Sequence, residues 1–179
     1  MDPILLIDKY TEGNAELRNV LFVHSKMVAD MALRIADRHP ELNIDKEFVY
    51  EGAMLHDIGI VKTDAPGIHC HGTEHYLRHG LLGGEILRAE GLQKHARVAE
   101  RHTGTGLTPE SIISLGLPLP PLDLRPESVE EQLICYADKF YSKTNLEQEK
   151  SVEKVRRSLL RFGEEGVVVF DKWHEMFGV

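Results

Sequence analysis

Cysteine is scarce: Cys70 and Cys135 are the two in 179 residues. Two thiols, one of them inside an apolar helical pattern, do not make a disulfide framework, so the reducing cytoplasm is the expected compartment. Long apolar runs are missing as well, and no window reaches the roughly 18 residues of a membrane span. The opening run Ile4-Leu5-Leu6-Ile7 is too short, and too soon followed by Asp8, for a signal peptide. Positive charge is in deficit, with 21 Lys plus Arg against 29 Asp plus Glu and a formal net charge of −8. That balance disfavours nucleic acid and anionic membranes as partners, since both call for a basic face. A small anionic substrate stays open, because a bound cation reverses the local field. Strand signals are poor too; Val167-Val168-Val169-Phe170 alone looks β-prone.

What is there is helical. Hydrophobic residues make up 42% and charged ones 28%, ordinary for a globular chain, and this length predicts one domain, residues 1–179, with a sizeable core. A short opening helix over 3–10 is followed by a long one from Asn14 to about His39, stopped by Pro40. On it His24, Met27, Val28, Met31, Ala32 and Ile35 share one face. Asp45 is the expected N-cap of the next helix, whose inner face carries Phe48, Val49, Gly52, Ala53 and His56 and which Gly59 should stop. An irregular stretch reaches to about Glu74. Further stripes follow at His79–Gly91 and at His95–His102, the latter ended by Gly104 and Gly106. Thr108-Pro109 opens a brief helix, and the prolines between 118 and 126 make a rigid connector. Helices are expected over 128–144, 151–162 and 164–177. The fold class is all-α, a single-domain helical bundle.

Several of these inner faces carry polar residues: His24, His56 with Asp57, His79, His102 and Asp138. Burying an unsatisfied polar group costs roughly 2–7 kcal/mol, and an unpaired carboxylate more. Taken singly, each histidine reads equally as a core residue bonded to a carbonyl, and Asp138 beside Lys139 as half of a surface ion pair. Together on facing stripes they point to something in the middle that all of them bind. A metal centre is the economical answer.

The order His, His-Asp, His, His, Asp resembles the HD-domain superfamily of metal-dependent phosphohydrolases, and His56-Asp57-Ile58-Gly59 spells its HDIG subgroup. The local contexts agree: Phe22-Val23-His24-Ser25, His79-Gly80, Arg101-His102-Thr103-Gly104 and Tyr136-Ala137-Asp138-Lys139. The likeness runs from about residue 20 to 145, with the last helices packing on that core. It implies one metal held by His24, His56, Asp57 and Asp138, with Asp57 bridging to a second held by His79 and His102. The six-ligand form looks most like the two-metal members, which split nucleotide-type phosphoesters and phosphoanhydrides. Two cations bridged by a carboxylate lower the pKa of a shared water towards about 7 and clamp phosphoryl oxygens. Some relatives place Lys directly after the HDIG glycine; Ile60 and Val61 stand here, and Lys62 is the substitute. Lys62 and Arg101 are the cations expected to contact phosphate, with Asp57 and Lys62 catalytic, while Lys139 reads as a solvated charge.

Imidazole and carboxylate ligands without thiolate disfavour structural zinc and admit Fe, Mn, Co or Ni as the two divalent ions. His69, His71 and His75 form a rival cluster, read as an access loop or as support for the ligands. His95 reads as a rim residue, His39 and His174 as surface, and the run Lys150, Lys154, Arg156, Arg157 and Arg161 as a solvated helix face. Phe170, Trp173 and Phe177 form a docking stripe for the core or for a second copy in a homodimer. Two other functions stay open: a di-iron oxygenase of the same fold, and a non-catalytic metal- or nucleotide-binding signalling module.

Overall fold

A computed structural model describes residues 1–146, 148–161 and 163–178. It is mainly helical, as the apolar periodicity predicts. Asp2 caps α1 (Pro3–Tyr10), with proline at its first position. Asn14 caps α2 (Ala15–Arg38) by accepting from the Leu17 amide. Leu17, Val20, Leu21, His24, Val28, Met31, Ala32 and Ile35 form its buried stripe, and the chain leaves it at His39 before Pro40. Asp45 caps α3 (Lys46–Leu55) through the Phe48 amide.

The ending of α3 differs from expectation. The helix stops at Leu55, and a tighter 3₁₀ turn, Ile58–Lys62, takes over, leaving His56 and Asp57 at the junction. Gly59 lies within that turn and does not end the helix. Its role is close approach: a Cβ there would overlap the His79 carbonyl oxygen and the Gly83 backbone nitrogen. The HDIG glycine brings the Asp57 turn against α4 (His79–Ala89).

The irregular stretch holds a two-residue antiparallel pair, β1 (Asp64–Ala65) with β2 (Cys70–His71), in the register Asp64 to His71. α5 (Gln93–Arg101) packs on α4, and α6 (Pro109–Ser114) opens with a Thr108–Ser111 capping box. α7 (Val129–Asp138), capped by Ser128, is six residues shorter than the expected span to Thr144. The chain turns back at Lys139, which moves residues 139–146 off the helix.

α8 (Val152–Leu160) and α9 (Glu164–Phe177) close the bundle, with α9 against α7 and α8. The expected helix end at Phe162, like Glu147, lies outside the described residues. The β-prone Val167–Phe170 is helical because burial overrides local propensity. Phe170, Trp173 and Phe177 are buried, and Phe170 stacks on Tyr136 at 5.3 Å, so the aromatic stripe docks on the core. Among the described residues no helix is long and apolar enough to cross a membrane.

His95 is a buried residue and not a rim one. Its Nε2 meets Glu51 Oε2 at 2.9 Å, and Phe48 packs edge-on against its ring at 5.1 Å. Glu51→Ala leaves that imidazole without its partner and is expected to cost about 1–3 kcal/mol in urea unfolding. Any metal held by the histidines and aspartates expected from sequence should be unchanged, because Glu51 and His95 lie apart from them.

Candidate metal centre

Six side chains from five parts of the fold converge at the junction after α3. His24 comes from the middle of α2, and His56 and Asp57 follow the end of α3. His79 opens α4, His102 follows α5, and Asp138 ends α7. Their ligand atoms fall into two groups that share Asp57: His24, His56, Asp57 and Asp138, and Asp57, His79 and His102. Asp57 Oδ2 lies 3.1 Å from His24 Nε2 and 3.0 Å from His56 Nε2. Asp57 Oδ1 lies 3.4 Å from His79 Nε2 and 3.3 Å from His102 Nε2. Asp138 Oδ1 closes the first group, 3.0 Å from His24 Nε2 and 3.5 Å from His56 Nε2. Each carboxylate oxygen of Asp57 therefore faces a different set of imidazoles.

The backbone fixes which nitrogen each ring offers. Nδ1 of His56, His79 and His102 donates to the carbonyls of Ala53, Tyr76 and Ala99, at 2.6, 2.7 and 2.7 Å. A carbonyl only accepts, so Nδ1 carries a proton in each ring and Nε2 is the nitrogen aimed inward. In each case the acceptor lies three residues back, where the last helical or 3₁₀ turn leaves a carbonyl within reach. Such bonds are the usual support of metal-binding histidines.

That leaves His79 Nε2 and His102 Nε2 facing each other at 3.0 Å with lone pairs on both. Burial and the neighbouring His102 push His79 down to about 3, and burial also lowers His102, so neither ring supplies a proton to bridge them. A cation shared by the two nitrogens and Asp57 Oδ1 removes the repulsion. Both Asp57 oxygens and His56 Nε2 are buried without a hydrogen bond of acceptable geometry. Unpaired buried carboxylate oxygens ringed by imidazoles fit a divalent ion.

Charge in the cluster is strongly coupled. Burial opposes ionisation of Asp57, but His56 and the Lys143 ammonium hold it well below the usual carboxylate range. Asp138 is held low against the same burial by Lys139 and His24. Burial opposes protonation of His56 as well, yet Asp57 and Asp138 carry it up to about 9. The two carboxylates thus demand positive charge. The thiols stand apart: Cys135 Sγ donates to the His102 carbonyl at 3.3 Å, and burial pushes it up to about 12.

The expected phosphate contacts are distributed differently. Lys62 is not brought to this cluster; its half-exposed ammonium lies 3.8 Å from Glu85 Oε2. The Arg101 guanidinium donates to the Arg125 carbonyl and to Glu127 at 2.7 Å. Lys139 is not the solvated charge expected: it is largely shielded, donating to Asp138 Oδ2 at 2.7 Å and to the His102 carbonyl at 3.0 Å. Sequence reasoning missed Lys143, whose Nζ lies 2.6 Å from Asp57 Oδ2, off the direction of a hydrogen bond. No motif marks it, and a helix running on to Thr144 would have carried it elsewhere. His69, His71 and His75 are exposed and join neither ligand group. The chain is extended at His75, which breaks the helical stacking that the four-residue spacing of His71, His75 and His79 predicts. His174 bonds the Tyr136 hydroxyl at 2.8 Å through Nδ1, and His39 pairs with Glu41.

A family model described as HD domain matches residues 21–142. An uncharacterized protein of Methanocaldococcus jannaschii is 37% identical over 137 residues, covering 75% of this chain and 72% of that protein. Two proteins named tRNA (cytidine(56)-2'-O)-methyltransferase are also similar. That of Picrophilus torridus is 35% identical across 69% of the chain, and that of Thermoplasma volcanium 32% across 86%. The chain spans 32% and 41% of the lengths of those two relatives. No solved structure matches significantly.

Proposed function

The chain belongs to the HD-domain family, and on that premise we propose that it is a metal-dependent phosphohydrolase. Its substrate is a nucleotide or a similar small phosphorylated molecule, cleaved at a phosphoester or phosphoanhydride bond by water. The observation that carries the reading is the sharing of Asp57, one oxygen towards each group of imidazoles. Bound there, two divalent ions such as Fe, Mn, Co or Ni supply Lewis acidity and an acidified water. The protein does the rest. Asp57 and Asp138 provide negative charge, and the three committed Nδ1 donors keep the Nε2 atoms aimed inward. Leu55, Ile58 and Ile60 are fully buried beside the pair and keep bulk water from behind the ligands. Metal-loaded protein incubated with a panel of phosphoesters and phosphoanhydrides should release phosphate or a nucleotide. A panel on which the loaded protein and an Asp57→Ala control behave alike would end the reading.

A second reading, a share in tRNA modification, rests on the names of two relatives. Against it stands the net charge of −8, which offers little to a polyanionic backbone. Methyl transfer to tRNA from a methyl donor, by this chain alone, would decide for it.

A further inference from the structure

Beside the ligand cluster lies a cleft of about 500 Å³ whose polar lining includes Asp138, Lys139, Lys143, Thr144 and Lys150. Among the described residues that line it, Asp138 is the one carboxylate. The lining has apolar members too, with Ile68 from the 3₁₀ turn before β2 and Leu159 from α8. Three lysines therefore share one cleft with Asp138 of the ligand cluster. All three come from the turn after α7 and the approach to α8, the segment that the early end of α7 folds back.

Their partners leave donor capacity unused. Lys139 donates to Asp138 and to the His102 carbonyl, and Lys150 to the carbonyls of Lys139 and Tyr141 at 3.2 and 3.0 Å. An ammonium has three N–H bonds, so each keeps one to offer. Lys143 is held by charge alone against Asp57 Oδ2, the same oxygen that faces His24 and His56. A cation in that group competes with Lys143 for the oxygen. The side chains of Lys139 and Lys143 are only 12% and 14% exposed. Once a divalent ion took Asp57 and Asp138, ammonium groups this far from water would be unfavourable unless another anion joined them.

We propose that Lys143, Lys139 and Lys150 form the recognition site for a phosphomonoester dianion, with Lys143 turning from Asp57 to the substrate phosphate and the apolar lining, Ile68 and Leu159, receiving the organic group. The proposal rests on the phosphohydrolase reading and narrows it. Three ammonium groups and a divalent centre, facing one carboxylate in the cleft, match a doubly charged phosphate better than the single charge of a diester.

The test uses the full chain loaded with Mn²⁺ and two small probes at mildly alkaline pH. Methylphosphonate is a dianion with a P–C bond that hydrolysis does not cleave; dimethyl phosphate has similar size and one charge. Calorimetry should find methylphosphonate bound at least about tenfold more tightly than dimethyl phosphate. Lys143→Gln and Lys150→Gln should each weaken methylphosphonate about 10- to 100-fold, with metal content unchanged. Lys143→Arg, which keeps the charge, should retain most of the affinity. If Lys143→Gln does not fold, Lys150→Gln carries the same reading. Equal binding of the two probes, or parental affinity in both glutamine variants, would overturn the assignment and leave the lysines as counter-ions of Asp57 and Asp138. Since methylphosphonate binding needs no turnover, this outcome is separate from a failed hydrolysis screen.

Discussion

Replacing Asp57 with alanine is expected to remove bound metal and phosphohydrolase activity together. The carboxylate is fully buried and touches every imidazole of the cluster, so no neighbour can substitute for it. Lewis-acid catalysis contributes several kcal/mol, so the rate should fall by about 10³-fold or more. Stability measured in chelator should fall as well. Lys143 and the raised His56 lose the charge that balances them, and breaking a buried pair costs about 3–5 kcal/mol. Elemental analysis, turnover and urea unfolding of one variant read the three effects separately. A variant that kept its metal while losing activity would limit Asp57 to a role in catalysis alone.

Gly59→Ala should be the most damaging single-methyl change in the chain's core. The added carbon meets the His79 carbonyl and the Gly83 backbone, and backbone cannot swing aside as a flexible side chain does. Overpacking usually costs about 1–3 kcal/mol and more where nothing yields; at 3 kcal/mol the melting temperature falls by about 6–12 °C. The same displacement pushes α4 away from the Asp57 turn. Metal held through His79 and His102 should therefore be lost before that held through His24 and Asp138. Thermal melts and metal content, measured together, check both halves; an unaltered melting temperature would mean that the turn and α4 do not touch as described.

Much of this architecture can be read from period and punctuation. The stripe of α2 puts His24 inward without reference to any other residue, and Asn14, Asp45 and Ser128 mark helix starts by a simple capping rule. What escapes are features set by tertiary contact. No glycine or proline marks the end of α7 at Asp138, so the turn that carries Lys143 onto Asp57 has no local signature. His95 and Glu51 lie 44 residues apart, and neither predicts the other. Lys62 looked closer to the cluster because it follows His-Asp by five residues, yet the 3₁₀ turn directs it to Glu85. Spacing of His71, His75 and His79 suits a helix, but the chain is extended at His75.

The most direct test of the central claim is metal content per chain, on protein purified without chelator or affinity-tag nickel, beside His79→Ala and His102→Ala. About two transition-metal ions are expected in the parent and about one in each variant, because each substitution would empty the group that Asp57 Oδ1 shares with those rings. About one ion in the parent, unchanged by either substitution, would contradict the claim. His79 and His102 would then be interior histidines beside a four-ligand site.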